Sequence, residues 1–466
     1  MSRHYFEPEL PGRRPLVVGA ARSGLAAARL LTSAGFSPLV CDRRTAAEAP
    51  EAAAALAADG IEAVFGSDGP ELLEGRDLVV WSPGIPIAHP IARAARAAGI
   101  AVLSELEIGW RASRAPFVCI TGTNGKSTTT DLTGALIRAS GRAVAVCGNI
   151  GRPVCEAAVE LPPDGVAVAE VSSFQLESVD RLKPRVAAWL NLTPDHLDRH
   201  GDFETYASMK RRLCLRQDAS DTAVWNADDP EVMRRRVPDG IPTAPSALEF
   251  STFGPVARGA WIENGDVLIG EPARRQHLLA ASELRLRGRH NLANVTAALC
   301  CAMPFDVPIA TLAESLAIYP GLEHRLEPAG TVEGVEFVND SKATNVDSLK
   351  VALASFDRKV VLVAGGRDKG QDFRPLADEV RRTVSHLVLI GEGAPRLEEA
   401  WRGVPVTRAS SLADAVDRAF EVARAGGATV LFSPGCASFD MFRDFEDRGR
   451  RFKAEVERLQ QAGVGS

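Results

Sequence analysis

The stretch VCITGTNGKSTTT (residues 118–130) decides the fold of the central part of this chain. Its apolar start is typical of a buried strand, and a loop with two glycines leads through Lys126 and Ser127 into a segment that can form a helix. Glycines let the backbone approach a phosphate, and the free N–H groups at a helix start point at it. The lysine neutralises the phosphate and a hydroxyl can hold Mg²⁺. The standard phosphate-loop pattern has Gly at the position of Ile120, so this motif alone leaves an ordinary strand–turn–helix open.

The composition is that of a globular protein of several domains. The 466 residues are 45% apolar and 24% charged, which excludes a disordered chain and favours two to four domains. The net charge of −6, with bases dispersed among acids, predicts no nucleic-acid partner. No apolar run is long enough for a membrane span, and the polar N-terminus lacks the apolar core of a signal peptide. The eight scattered cysteines fit buried thiols in a reducing compartment. We therefore expect a cytoplasmic protein.

Short apolar runs alternate with helical segments along the whole chain, which predicts an α/β fold with parallel sheets. We expect three domains: an N-terminal Rossmann-like sheet in residues 1–113, a central phosphate-loop ATPase domain in 114–317, and a C-terminal Rossmann-like α/β domain in 318–466. Residues 245–290 contain short strands and an Asn-Gly turn, which predicts a small antiparallel insertion in the central domain.

Polar clusters follow nearly every predicted strand. Ligands bind beyond the carboxyl ends of the strands in open parallel sheets, and a structural protein has no need of so many polar residues there. The pattern indicates a large enzyme site shared between domains. The clusters occupy residues 19–24, 82–84, 122–128, 148–151, 170–175, 191–198, 340–344, 365–369 and 433–438.

Several clusters have more than one interpretation when taken singly. The first resembles a dinucleotide fingerprint with Ala21 in place of its second glycine, so a nicotinamide site, a uridine-nucleotide site and a plain turn all remain open. Glu170 at a strand end can be a Mg²⁺ ligand or a helix-start acid. Lys210 lies on a probable helix among other bases, where a solvated face is the default interpretation.

The ordered set of motifs is far more specific than any single one. TGTNGKST, GNIG, EVSSFQLE, NLTPDHLDRH, YxxxK, GRHNLANV, NDSKATN and SPGCASFD resemble, in this order and across essentially the whole chain, the Mur ligases of peptidoglycan synthesis. Within that family the chain is most similar to the glutamate-adding branch. The resemblance implies an ATP-dependent amide ligase that adds D-glutamate to UDP-N-acetylmuramoyl-L-alanine through an acyl phosphate and releases ADP and phosphate.

The resemblance also assigns roles residue by residue. Catalysis would rest on Lys126, His196 and Lys210. ATP would contact Gly122, Thr123, Asn124, Gly125, Lys126, Ser127, Thr128, Asn291, Asn294, Arg325 and Asp340. Two Mg²⁺ ions would be held by Ser127, Thr128, Glu170, His196 and a carbamylated Lys210. The UDP-substrate would contact Ser23, Asp42, Arg43, Arg44, Gly84, Asn149 and His196. Glutamate would contact Lys342, Thr344, Lys369, Ser438 and Phe445.

The implied partners are small-molecule substrates, with no nucleic acid and no membrane insertion, and the protein is expected to be a monomer. Phe439 departs from the family pattern, which has an aliphatic residue there. A sister ligase that adds L-glutamate and a folylpolyglutamate synthetase are the alternatives within ligases, although the latter lacks an N-terminal nucleotide-binding domain. A dinucleotide-dependent dehydrogenase leaves the phosphate loop unexplained. A non-enzymatic ATP-binding protein leaves the full set of Lys126, Glu170, His196 and Lys210 unexplained.

Overall fold

The computed structural model describes residues 6–236, 244–286, 288–368 and 370–464. These residues form three sheets in two compact units, the first from residues 1–284 and 290–319 and the second from residues 285–289 and 320–466. The α/β fold of three sheet-containing parts is confirmed; the domain boundaries near 113 and 317 stay predictions. Among the described helices none is both long and apolar enough to cross a membrane.

The N-terminal sheet is parallel throughout. Its strands are β1 (Pro15–Val18), β2 (Leu39–Asp42), β3 (Glu62–Phe65), β4 (Leu78–Trp81) and β5 (Ala101–Ser104), and its helices are α1 (Arg22–Ser33), α2 (Pro50–Ala58), α3 (Pro90–Ala97) and α4 (Glu105–Ala112). The strand order is β3-β2-β1-β4-β5. The order reverses between β1 and β4, and a crevice for a ligand forms at such a reversal.

The central sheet contains the phosphate loop between β6 and α5. Its strands are β6 (Phe117–Thr121), β7 (Val144–Gly148), β8 (Val166–Glu170), β9 (Val186–Trp189), β10 (Thr222–Asn226), β11 (Ser246–Ser251), β12 (Gly259–Glu263), β13 (Asp266–Gly270) and β14 (Gln276–Ala280). The associated helices are α5 (Lys126–Arg138), α6 (Val154–Ala157), α7 (Ser173–Leu176), α8 (Leu197–His200), α9 (Phe203–Arg211), α10 (Pro230–Arg235), α11 (Arg289–Ala302) and α12 (Ile309–Ile318). The order β14-β13-β12-β11-β10-β9-β6-β8-β7 places β6 between β9 and β8. The clusters after these three strands therefore lie side by side.

The expected antiparallel strands are present, and they extend the central sheet beyond β11. Strand β12 pairs in parallel with β11, and β13 pairs antiparallel with both β12 and β14. The predicted Asn-Gly turn joins β12 to β13, with positive φ at both Asn264 and Gly265. Positive φ at both central residues gives the turn a twist that matches a two-residue hairpin.

The C-terminal sheet is parallel except for one edge strand. Its strands are β15 (Glu327–Val332), β16 (Val335–Asn339), β17 (Val360–Gly365), β18 (Val384–Ile390), β19 (Val406–Arg408) and β20 (Thr429–Phe432), with helices α13 (Val346–Leu353), α14 (Ala377–Thr383), α15 (Ala394–Ala400), α16 (Leu412–Gly426) and α17 (Phe445–Val464). The order is β15-β16-β20-β17-β18-β19, and β15 is antiparallel to β16. The loops after β16, β20 and β17 therefore meet at one edge, as the sequence predicts.

Candidate active site

Position 125 of the phosphate loop requires glycine for two physical reasons. Gly125 has φ +82°, in the left-handed region that favours glycine. A Cβ atom there would lie 2.3 Å from Oδ1 of Asn294, which is buried on α11. Nζ of Lys126 donates hydrogen bonds to the carbonyl oxygens of Gly122 at 3.0 Å and Thr123 at 2.8 Å. The loop thus curls around its own lysine at the start of α5.

Asn191, directly after β9, braces the phosphate loop. Its Oδ1 accepts hydrogen bonds from the backbone N–H groups of Thr123 at 2.9 Å and Asn124 at 2.8 Å. Its Nδ2 donates to the carbonyl oxygen of Asn124 at 3.0 Å. The Thr123 hydroxyl lies 3.1 Å from the Tyr206 hydroxyl. Sequence reasoning places Asn191 in a polar cluster without a role; an amide side chain directly after a strand was the available signal.

Lys210 is buried, so the default interpretation of a solvated side chain is wrong. Only 2% of the residue is exposed, and its Nζ donates to the carbonyl oxygen of Gly122 at 2.7 Å. Burial, followed by the nearby charge of Lys126, holds the pKa of Lys210 well below its usual value. Two lysines of different helices therefore converge on one carbonyl group of the phosphate loop.

A carboxylate with a free acceptor atom lies at the end of β8, beside β6. Glu170 is 2% exposed, and its Oε1 accepts a hydrogen bond from Nδ2 of Asn149 at 2.7 Å. Its Oε2 is buried and has no hydrogen-bond partner in the described structure. Ser127 and Thr128, at the start of α5, are buried as well. Mg²⁺ takes oxygen ligands and often only one or two carboxylates together with substrate phosphates, so this donor set fits Mg²⁺.

His196 lies half-exposed before α8, with φ +52°. Its ring packs against Phe174, with centroids 4.7 Å apart, and its Nε2 is 3.5 Å from Oδ2 of Asp195. Within the described ranges no three His, Cys, Asp or Glu side chains form a group that could hold a metal ion by themselves. Metal binding at His196 therefore stays a prediction.

The residues expected to contact UDP line a cavity of about 490 Å³ between the ends of β1 and β4. Ser23, Asp42, Arg43, Arg44 and Gly84 are among its lining residues. Asn149 and His196 belong to the central sheet and do not line this cavity. The N-terminal sheet thus supplies a pocket at its strand reversal, where the fold predicts one.

Asp42 organises one wall of this cavity. Its Oδ2 accepts hydrogen bonds from the Ala20 N–H at 2.9 Å and Nη2 of Arg44 at 2.8 Å, and its Oδ1 accepts from Nε of Arg44 at 3.0 Å. The Arg44 guanidinium is the main reason that the pKa of Asp42 is lowered to about 2. The carboxylate therefore both holds the turn after β1 and orients a base toward the cavity.

A histidine–aspartate pair on the same cavity was missed from the sequence. Nε2 of His89 lies 3.1 Å from Oδ2 of Asp68, and both residues line the cavity. Nδ1 of His89 accepts a hydrogen bond from the Ile91 N–H at the start of α3. The helix-starting His-Pro dipeptide was visible in the sequence, but Asp68 lies in an irregular loop that gives no signal.

Asn291 and Asn294, which are expected to contact ATP, adjoin the phosphate loop. Nδ2 of Asn294 donates to Oδ1 of Asn291 at 3.1 Å, and Oδ1 of Asn294 accepts from the Thr129 hydroxyl at 3.3 Å. Both amides are buried on α11. The first unit therefore contains the phosphate loop, Glu170, Lys210, His196, the asparagine pair and the cavity expected to bind UDP.

Asp340 and Arg325 belong to the second unit. Asp340 is buried, and its carboxylate accepts hydrogen bonds from the Ser433 hydroxyl at 2.7 Å and the Leu326 N–H at 3.2 Å. Burial raises the pKa of Asp340 to about 7, while the bond from Ser433 and the charge of Arg325 oppose this rise. The end of β16 therefore carries a carboxyl group whose pKa lies near neutral pH.

Of the predicted glutamate-contacting residues, Lys342, Thr344 and Ser438 lie on loops at one sheet edge, and Phe445 begins α17. Nζ of Lys342 is 5.7 Å from the ring centroid of Phe445, Ser438 is buried, and Thr344 is partly buried. Lys369 lies outside the described residues. Backbone hydrogen bonds between Arg367 and Ala437 join two of the loops.

Buried Arg448 on α17 ties the same edge together. Its Nη2 donates to the carbonyl oxygen of Ser341 at 2.7 Å, and its Nη1 donates to that of Cys436 at 3.0 Å. Burial lowers the pKa of Arg448 to about 10. Sequence reasoning missed it because it is one of several arginines on a charged helix.

Comparison with known proteins finds family matches along most of the chain. Three family profiles match: "Mur ligase MurD-like, N-terminal domain" over residues 13–104, "Mur ligase middle domain" over 120–302, and "Mur ligase, glutamate ligase domain" over 324–436. A Salinibacter ruber UDP-N-acetylmuramoylalanine–D-glutamate ligase is 41% identical, with 97% of this chain and 99% of that protein covered. The enzyme of the same name from Anaeromyxobacter dehalogenans is 44% identical, covering 96% and 98%.

A solved structure agrees in fold. The UDP-N-acetylmuramate–alanine ligase of Thermotoga maritima aligns over 97% of this chain and all of its own chain, with a TM-score of 0.58 and 17% identity.

Proposed function

The chain belongs to the Mur ligase family, and on that premise we propose that it is the ligase that joins D-glutamate to UDP-N-acetylmuramoyl-L-alanine at the expense of ATP. The observation that carries the proposal is the convergence of Lys126 and buried Lys210 on the phosphate loop beside Glu170, whose Oε2 lacks a partner. The nearly full-length similarity to D-glutamate ligases supports this choice of amino acid.

The reaction divides into two displacements. An oxygen of the substrate's terminal carboxylate attacks the γ-phosphorus of ATP, the bond to the bridging oxygen breaks, and ADP leaves. The glutamate nitrogen then attacks the carbonyl carbon of the acyl phosphate; the tetrahedral intermediate expels phosphate, and the nitrogen loses its proton as the amide forms. Two anions must meet in the first step, so positioned cations and N–H donors lower its barrier. Lys126 and the backbone N–H groups at the start of α5 serve this purpose.

Ser127, Thr128 and Glu170 would hold Mg²⁺, and we propose a second ion near His196. Bound there, Mg²⁺ supplies charge neutralisation for the phosphates and the attacking carboxylate. The orphaned Oε2 of Glu170 supports the first site, since a buried carboxylate oxygen without a partner is unfavourable unless a ligand completes it.

We propose that Lys210 carries a carbamate. A neutral amine attacks the carbon of CO₂, a C–N bond forms, and a proton is released to leave a carboxylate-like group. The lowered pKa of Lys210 supports this step because only the unprotonated amine is a nucleophile. The product would add an anionic oxygen ligand to the group formed by Ser127, Thr128 and Glu170.

The residues expected to contact UDP, ATP and glutamate complete the proposed site. We propose that UDP occupies the cavity lined by Asp42 and Arg44, with Asn149 and His196 toward the muramoyl-peptide end, and that Arg325 and Asp340 contact ATP. Glutamate would bind through Lys342, Thr344, Lys369, Ser438 and Phe445. We further propose a cytoplasmic monomer; the eight cysteines are buried free thiols, in keeping with a reducing compartment.

A phosphate-release assay tests the function. Purified protein receives ATP, Mg²⁺ and UDP-N-acetylmuramoyl-L-alanine with D-glutamate, L-glutamate or a diamino acid, and controls omit the UDP-substrate. We expect release only with D-glutamate. Release with L-glutamate alone would assign the sister activity, and no release with any amino acid would overturn the proposal. The Lys126→Ala variant should release no phosphate while remaining folded by circular dichroism.

A further inference from the structure

Arg199 has no role in the proposed reaction. It connects the nucleotide cavity, which is the cavity at the ends of β1 and β4, to the phosphate-loop region. It lies on α8, three residues after His196, and only 10% of its side chain is exposed. Its Nη1 donates to the carbonyl oxygen of Pro83 at 2.8 Å and its Nη2 to that of Ile85 at 2.9 Å. Both residues line the nucleotide cavity. A side chain of helix α8 is thus hydrogen-bonded to a wall of the cavity in the N-terminal part of the chain.

The guanidinium is held from its other side as well. Glu177, whose side chain is 5% exposed, accepts from Nε at 3.0 Å and from Nη2 at 2.6 Å. A bidentate arginine–carboxylate pair of this kind fixes direction as well as distance. The planar fork also bonds two carbonyl groups and a carboxylate at once through donors in fixed directions, whereas a lysine ammonium offers three donors at a single point.

Phe174 completes the connection to the candidate reaction centre. The guanidinium carbon of Arg199 lies 4.0 Å from the Phe174 ring centroid, and the His196 ring lies 4.7 Å from the same centroid. Phe174 therefore contacts both the arginine that holds the cavity wall and the imidazole that precedes α8. Because the connection is made through packed rings and charge-assisted hydrogen bonds, a shift of the cavity wall has a direct route to His196.

We propose that Arg199 is a positioning residue that couples occupation of the nucleotide cavity to the orientation of His196 through Phe174. The inference rests on the proposed function for the meaning of the two sites, but the coupling itself concerns only UDP, the cavity wall and His196. Binding the nucleotide end of the substrate would thereby set the side chain near the reacting end.

Arg212 supplies a matched control. Its Nη1 donates to the carbonyl oxygen of Glu177 at 3.0 Å and its Nη2 to that of Val179 at 2.6 Å, so it makes the same kind of contact to the same segment. It is not among the residues that line the cavity. Arg212→Lys therefore removes a comparable pair of bonds to carbonyl groups and leaves the contacts of Arg199 with Pro83, Ile85 and Phe174 in place.

The experiment uses the full chain with UDP alone as the probe. UDP affinity is measured by calorimetry, and the response of His196 is read from its ¹³C-labelled ring resonance at one pH, assigned with a His196→Gln variant. In wild type and Arg212→Lys, UDP should shift this resonance. In Arg199→Lys we expect an affinity loss of about tenfold or more, from lost charge-assisted hydrogen bonds, and no shift at saturating UDP. In Phe174→Leu the affinity should be retained while the shift disappears.

Several results would overturn the inference: no shift in wild type, an unchanged shift in Phe174→Leu, or Arg199→Lys behaving as Arg212→Lys does. Turnover supplies a second readout, since Arg199→Lys should raise KM for the UDP-substrate and lower kcat while KM for ATP and glutamate stays constant. Equal changes in all three KM values would indicate a merely structural role. Failure of the proposed function would show separately, as absent phosphate release in wild type with the UDP response intact.

Discussion

Replacing Gly125 by alanine tests whether the phosphate loop depends on the close approach of α11. The left-handed φ of Gly125 costs an alanine about 1–2 kcal/mol. The new Cβ would also lie 2.3 Å from Oδ1 of Asn294, so the buried amide must move away. Its bonds with Thr129 and Asn291 are worth about 1 kcal/mol each. The free energy of unfolding of the first unit should therefore fall by about 3 kcal/mol, and the loop should lose its phosphate-binding shape.

Gly141, just beyond the other end of α5, is the control. It has φ +87°, but a Cβ there meets no atom within 4 Å. Gly141→Ala should therefore lose only the backbone part, about 1–2 kcal/mol. Five of the six tryptophans belong to the first unit, so denaturant unfolding followed by tryptophan fluorescence reports mainly on it.

Activity and a double variant sharpen this test. Gly125→Ala should weaken ATP binding and reduce phosphate release by about 100-fold or more, in line with loss of oriented N–H donors, whereas Gly141→Ala should retain activity. Adding Asn294→Ala to Gly125→Ala should recover part of the lost stability, because the clashing oxygen is gone. Equal unfolding free energies and activities for Gly125→Ala and Gly141→Ala would refute the reasoning.

Three further perturbations have defined outcomes. Lys210→Ala should lose turnover and regain part of it with added short-chain carboxylates; normal phosphate release without additive would reject the carbamate. Asp42→Asn should weaken UDP binding in calorimetry by about tenfold because the charged acceptor for Arg44 is lost, with ATP affinity unchanged; a loss of both affinities would indicate misfolding instead. Burial raises the pKa of Glu105 from 4.5 to about 7, so its contribution to stability is greatest below pH 4.5 and declines as the pH rises through 7. Glu105→Gln removes this decline. The free energy of unfolding of the variant, taken relative to that of wild type, should therefore rise by up to about 3 kcal/mol between pH 4 and 8. A constant difference across that range would contradict the raised pKa of Glu105.

Much of the architecture was predictable because it depends on short-range signals. Continuous apolar runs such as those of β6 and β8 predict buried parallel strands, and the polar clusters behind them predict the edge at which ligands bind. The antiparallel strands and their Asn-Gly turn were also predictable from local pattern. Their continuation of the main sheet was not, because strand neighbours depend on pairing between segments far apart in the chain.

The distant partners of a residue could not be identified from its neighbours in the sequence. Asn191 bonds to Thr123 and Asn124, which are 68 and 67 residues away. Arg199 bonds to Pro83 and Ile85, which are 116 and 114 residues away. Lys210 is the clearest case, since its sequence neighbours suggest a solvated helix face while the fold buries it under the phosphate loop.

The sequence by itself determined the α/β class, the phosphate loop, the order of the family motifs and the list of candidate ligands. These follow from residue type and spacing, which are properties of the chain before it folds. The tertiary structure alone decided which amine loses its solvation, which carboxylate oxygen stays without a partner, and which guanidinium joins two sheets. Desolvation and hydrogen-bond satisfaction are set by atoms that folding brings together, so they have no value until the chain has folded.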